Sequence, residues 1–190
     1  MKALEQKILN EGTVLGSDIL KVGSFLNQQI DVDFLLDMGN EINRIYAGEE
    51  ITKILTVEAS GIAIAIAAAA VMHKNLIFAK KSKTSNVTGP VYGAKVHSFT
   101  HGTDNYITVP KDYISGEDKL LIIDDFLANG EALRGLIDIA EQAGAKIVGC
   151  TCAIEKGFQG GGDELRKKGY RIESLAIIDK MEPGNIEFRH

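Results

Sequence analysis

Apolar residues recur along this chain in two rhythms. In the first fifty residues the spacing is helical. Residues 3–10 form a short amphipathic pattern that Gly12 ends, and a longer one opens after Asp31. There Leu35, Met38, Ile42 and Ile45 share one face while Asp33, Asp37, Glu41 and Arg44 take the other, which predicts a helix. Between them, residues 19–25 read as an extended segment. From residue 51 the rhythm alternates. Short apolar runs at 51–57, 76–79, 120–123, 146–154 and 171–178 read as strands. Helical patterns at Gly61–Met72, 131–143 and 163–168 separate them, the last two closed by Gly144 and Gly169. Leu133, Leu136, Ile137 and Ala140 mark the buried face of the second. Strands joined through helices predict crossover units and a mostly parallel sheet covered on both faces, an α/β fold.

One stretch breaks the alternation. Residues 80–116 carry no helical pattern and are rich in Lys, Ser, Thr, Asn and Gly, with two segments, 91–99 and 106–109, able to pair as a hairpin. A connection this long predicts a mobile loop over a functional site.

Composition narrows the class. At 190 residues, 45% apolar and 25% charged, the chain is that of an ordinary globular protein. A net charge of −5 argues against nucleic acid or an anionic membrane surface as partner. The longest apolar run, Gly61–Met72, falls short of the ~20 residues a membrane helix needs, and residues 1–12 lack a signal core, so a cytoplasmic location is expected. Cys150 and Cys152 fall on one face of a strand as small buried groups. His97 and His101, four apart in a stretch without helix, make a poor metal pair.

The chemistry concentrates where the predicted strands end. Leu120 to Ile123 run into Asp124 and Asp125, then Phe126-Leu127-Ala128-Asn129-Gly130-Glu131-Ala132 opens the next helix. Two acids at the end of a buried strand are costly unless used, and alternation points them to opposite sides. The helix N-terminus that follows presents unpaired N–H groups and partial positive charge, which suit a phosphate. Acids for hydroxyls beside a cradle for phosphate describe a sugar phosphate. Three further strand ends carry unusual residues. Glu58-Ala59-Ser60-Gly61 has the makings of an anion nest, with Ser60 also placed to cap the following helix. Lys80-Lys81-Ser82-Lys83 places cations beside two anion loops in an acidic chain. Lys156, after Glu155, can donate to a carbonyl oxygen but cannot accept.

The thirteen residues from Leu120 to Ala132 resemble the phosphoribosyl pyrophosphate (PRPP) motif of the type I phosphoribosyltransferases. Many members carry Thr at the positions of Asn129 and Ala132, and the Ala-Asn-Gly variant is similar to the xanthine branch. So are Ile154-Glu155-Lys156-Gly157-Phe158-Gln159, Asp163-Glu164-Leu165, Gly169-Tyr170-Arg171, and, at the N-terminus, Leu20-Lys21-Val22 with Ser24-Phe25-Leu26-Asn27-Gln28-Gln29-Ile30. The resemblance spans essentially the whole chain and is thinnest over residues 85–112.

It implies a type I phosphoribosyltransferase fold in one domain, with a core at about 51–178, a flexible loop at about 80–116, and a hood from about 1–50 plus the C-terminal segment. It implies transfer of the phosphoribosyl group of PRPP to xanthine. Asp124 and Asp125 would hold the ribose, and Ala128, Asn129, Gly130, Glu131 and Ala132 the 5′-phosphate. Glu58, Ala59, Ser60 and Gly61 would hold pyrophosphate with Lys80 or Lys81, and Leu20, Asn27 and Lys156 the base, with Phe158 or Phe25 stacking on it. Mg²⁺ would be carried mainly by PRPP, and the family implies a homodimer. A hypoxanthine–guanine enzyme is the neighbouring alternative. A PRPP-sensing regulator is the alternative of another class, disfavoured by the missing basic face and by the lack of room for a winged helix.

Overall fold

The computed structural model describes residues 1–81, 89–98 and 103–190. The chain opens with α1 (Lys2–Glu11), a hairpin of β1 (Thr13–Leu15) and β2 (Ile19–Lys21), and a π-helical turn at Gly23–Asn27. The extended segment expected through residue 25 therefore ends at Lys21. Phe25 and Leu26 are consecutive and both buried, which a strand with alternating faces does not allow and a helical turn does. In α2 (Val32–Ile45) the Asp31 carboxylate accepts the Phe34 amide at 3.1 Å, a normal N-cap.

The core is a six-stranded sheet in the order β10-β9-β8-β7-β3-β4. Its members are β3 (Lys53–Val57), β4 (Asn75–Ala79), β7 (Lys119–Leu127), β8 (Lys146–Lys156), β9 (Ile172–Glu182) and β10 (Asn185–Phe188). All neighbours are parallel except β9 and β10. Crossover helices α3 (Gly61–Met72), α4 (Glu131–Gln142) and α5 (Gly161–Lys167) link the parallel strands. Two hydrophobic clusters flank the sheet. Leu121 and Ile123 belong to one, with α1, α2 and α3; Leu120 and Ile122 belong to the other, with α4 and both cysteines. The alternation of β7 is thus the device that serves both faces.

Three strands outrun the apolar pattern, β8 by two residues to Lys156. β7 continues through Asp124, Asp125 and Phe126 to Leu127, because pairing with β8 (Asp124 with Cys152, Phe126 with Ile154) continues the ladder past the acids. β9 extends to Glu182, turns at Pro183-Gly184, and returns as β10, a strand too polar for the apolar pattern to mark.

The 80–116 insertion is a two-stranded ribbon in its described part, β5 (Val91–Ser98) against β6 (Thr103–Pro110), as the hairpin pattern predicts. A bridge between Lys80 and Thr108 docks it to the sheet edge, and Val96 and Ile107 lie over Gly135 of α4. Residues 82–88 and 99–102 lie outside the described residues, and with them Ser82, Lys83 and His101.

Candidate functional site

Strand ends β3, β7 and β8 open into one cavity of about 630 Å³. Asp124 and Asp125 lie at its base, 5% and 6% exposed. The Asp124 carboxylate accepts the amide of Asp125 at 2.9 Å. Asp125 accepts from the Ser60 hydroxyl at 2.9 Å and from Nδ2 of Asn27 at 3.4 Å. Burial, and then the negative charge of Asp125, hold the Asp124 carboxyl well above the usual carboxylate range. Beneath it the Thr56 hydroxyl is buried with no partner among the described residues. Gly61 makes this packing possible, since a Cβ there would come within 2.5 Å of Thr56 Oγ1 and 2.7 Å of Asp124 Oδ1.

Ser60 does not cap α3. Its side chain makes no cap hydrogen bond, because its hydroxyl is committed to Asp125 and its own backbone is helical. Glu58 and Ser60 line the cavity, Ala59 is exposed, and the Glu58–Ala59 peptide is cis. The Glu58 carboxylate accepts the Lys81 amide at 2.6 Å, tying this loop to the end of β4. Of the two lysines only Lys81 lines the cavity. Lys80 exchanges backbone bonds with Thr108, and its ammonium lies 6.0 Å from the centre of the Phe78 ring.

All of Ala128, Asn129, Gly130, Glu131 and Ala132 line the cavity. Gly130 takes φ 84°, a left-handed conformation that only glycine adopts cheaply, and α4 begins at the next residue. The first residue of α5 presses on this loop: a Cβ on Gly161 would come within 2.4 Å of the Ala128 carbonyl oxygen.

Lys156 also lines the cavity. Its ammonium donates to the main-chain oxygen of Asp18 at 2.5 Å and lies 5.8 Å from the centre of the Phe126 ring. Burial depresses its pKa. The other residues expected at the base lie as follows. The Leu20 side chain is buried in the hydrophobic core, because alternation in β2 turns Ile19, its neighbour, to the cavity instead. Asn27 reaches the acid pair and does not line the cavity wall. Phe25 is fully buried, edge-on to Phe34, and Phe158 is 40% exposed and does not line the cavity. The aromatic ring that lines the cavity is Phe126. Its signal was present in the motif, but the strand had been expected to stop before it. The ribbon adds Val96, His97, Asn105 and Ile107 to the wall. Cys150 and Cys152 are buried together behind the sheet, as alternation predicts. Among the described residues no group of three or more His, Cys, Asp or Glu gathers as a metal cage, and no helix is long and apolar enough to cross a membrane.

Known proteins match this arrangement. Residues 31–188 fit the phosphoribosyl transferase domain model. A xanthine phosphoribosyltransferase of Ruminiclostridium cellulolyticum is 52% identical over 188 residues, covering 99% of both chains. One of Clostridioides difficile is 50% identical over the full length of both. Among solved structures, adenine phosphoribosyltransferase of Saccharomyces cerevisiae superposes with a TM-score of 0.72 at 16% identity, over 92% of this chain and 99% of that one. The Trypanosoma brucei adenine enzyme reaches 0.76 at 14% identity, over 92% and 78%. The sheet order, the acid pair ahead of a glycine turn and these matches agree: the chain belongs to the phosphoribosyltransferase family and has its type I fold.

Proposed function

We propose that this protein is a purine-salvage enzyme that transfers the 5-phosphoribosyl group of PRPP to xanthine, releasing xanthosine 5′-monophosphate and pyrophosphate. The observation that carries it is the cavity itself, which brings the acid pair and glycine turn together with Lys156 and Phe126. A nitrogen of the base forms a bond to the anomeric carbon as that carbon's bond to pyrophosphate breaks, through an oxocarbenium-like state, so the protein supplies position and charge. Asp124 and Asp125 accept from the ribose hydroxyls, and the main-chain amides of residues 128–132 hold the 5′-phosphate. Glu58, Ala59, Ser60 and Gly61 with Lys81 hold the pyrophosphate, while Lys80 contributes long-range charge.

Phe126 stacks on the base. Lys156 donates to a xanthine oxygen, and a half-buried ammonium whose partners are a neutral carbonyl and a ring favours an anionic ligand. Xanthine loses a proton more readily than hypoxanthine or guanine, and the amino group of guanine offers such a donor no acceptor. Leu20 is left its main chain for contact with the base, and Asn27 acts by orienting Asp125. Mg²⁺ would arrive carried mainly by the oxygens of PRPP, with no direct side-chain ligand. So held, it would supply neutralising charge for the departing pyrophosphate. The domain plan is one unit with residues 1–50 as its hood. A homodimer and a cytoplasmic setting carry over from the family.

The test is turnover with PRPP, Mg²⁺ and each of xanthine, hypoxanthine, guanine and adenine. The expected order places xanthine first by catalytic efficiency. Equal use of guanine would overturn the choice of base.

A further inference from the structure

We infer that Arg134, one turn into α4, is a positioning residue that shapes the loop for the 5′-phosphate. It acts in two ways. Its Nη1 donates to the main-chain oxygen of Asn129 at 2.6 Å. In a trans peptide the carbonyl and the following N–H point in opposite directions, so drawing the Asn129 oxygen to the guanidinium turns the Gly130 amide toward the cavity. The same Nη1 holds Glu131 Oε1 at 2.7 Å. Glu131 is the first residue of α4 and lines the cavity, where an unpaired carboxylate would repel a phosphate. Arg134 neutralises it and pulls it to the helix flank. The other end of the fork, Nη2, reaches Glu164 of α5 at 2.7 Å, so the guanidinium spans the loop, the helix it opens and the helix whose first residue presses on that loop. At 28% exposure it is shielded enough for these contacts to hold one geometry.

The inference rests on the assignment of residues 128–132 to the 5′-phosphate, and the test separates the two. Steady-state kinetics with each substrate varied are measured for Arg134→Met (R134M), for the double variant E131Q/R134M, and for Ala132→Asp (A132D), which sets a charge in the loop itself. R134M is expected to raise KM for PRPP about tenfold, with kcat within about threefold and KM for xanthine unchanged. E131Q in that background is expected to recover about threefold, because the carboxylate left unpaired is removed. A KM for PRPP within twofold of the parent in R134M, while A132D raises it, overturns the role of Arg134. An equal rise in both substrates' KM also overturns it, since that marks general damage to the site. No effect of A132D on PRPP overturns the loop assignment beneath it. Should R134M fail to fold, Arg134→Lys keeps the charge but not the fork. A rise of about threefold in KM for PRPP then supports the inference, and no change overturns it.

Discussion

Two groups of residues that line the cavity are built by different means. The acid pair and glycine turn come from one stretch of chain: an interior strand, two acids, a left-handed glycine and a helix start, in thirteen consecutive residues. Its working groups are main-chain amides and two nearly buried carboxyls. Other lining side chains come from far away in sequence, Ile19 from the first hairpin and Lys156 from β8, and meet Phe126 of the stretch itself. Under the proposed assignment, an anion common to many substrates is gripped by backbone, which mutation alters least. A base that must be told from its near relatives is read by side chains, which can be exchanged one at a time.

Substitutions can break or sharpen this contrast. The largest effect belongs to Asp124→Asn combined with Asp125→Asn, which should lower turnover by about 10³-fold or more while leaving a cooperative melt. Lys156→Gln should cut kcat/KM for xanthine by about 10²-fold, the loss of one charged hydrogen bond in a half-buried site, with KM for PRPP unmoved. If PRPP suffers equally, the two groups are not separate. Gly161→Ala should do the reverse, raising KM for PRPP about tenfold by pushing on the Ala128 carbonyl and sparing xanthine. Phe126→Leu should weaken xanthine about fivefold through lost ring contact.

The smallest effect is on stability. The native Asp124 carboxyl holds its proton more tightly than the unfolded one, so rising pH between the ordinary carboxylate value and the raised one removes stability. Asp124→Asn escapes this. At pH 7 it should melt above the parent, and the gain should vanish below about pH 4. A parent more stable than the variant at pH 7 would contradict the burial cost assigned to this carboxyl.

How much of this was legible follows the same division. The acid pair and glycine turn could be read because their signals are local: the switch from strand to helical period, a glycine where positive φ is needed, and acids where a buried strand should have none. α3 could be read to the residue, from Gly61 to Met72, for the same reason. The other lining side chains depended on packing. Whether Ile19 or Leu20 faces the cavity turns on one residue of alternation in a three-residue strand, which sequence does not register. Phe126 was misjudged because the acids interrupt the apolar run, while the ladder with β8 carries the strand through them. Ser60 carries the right residue type for a cap, but a partner 65 residues away claims its hydroxyl. β10 left only the Pro183-Gly184 dipeptide as a trace.

The paired cysteines of β8 bring a use of their own. Cys150 and Cys152 sit in an interior strand behind the cavity floor, and burial pushes the Cys150 thiol up to about 12 and that of Cys152 upward as well. Only the thiolate reacts, so alkylating reagents find these sulfurs inert until the middle strands part. The rate at which iodoacetamide labels them is therefore a native clock for sheet opening, readable with and without PRPP on the unaltered protein.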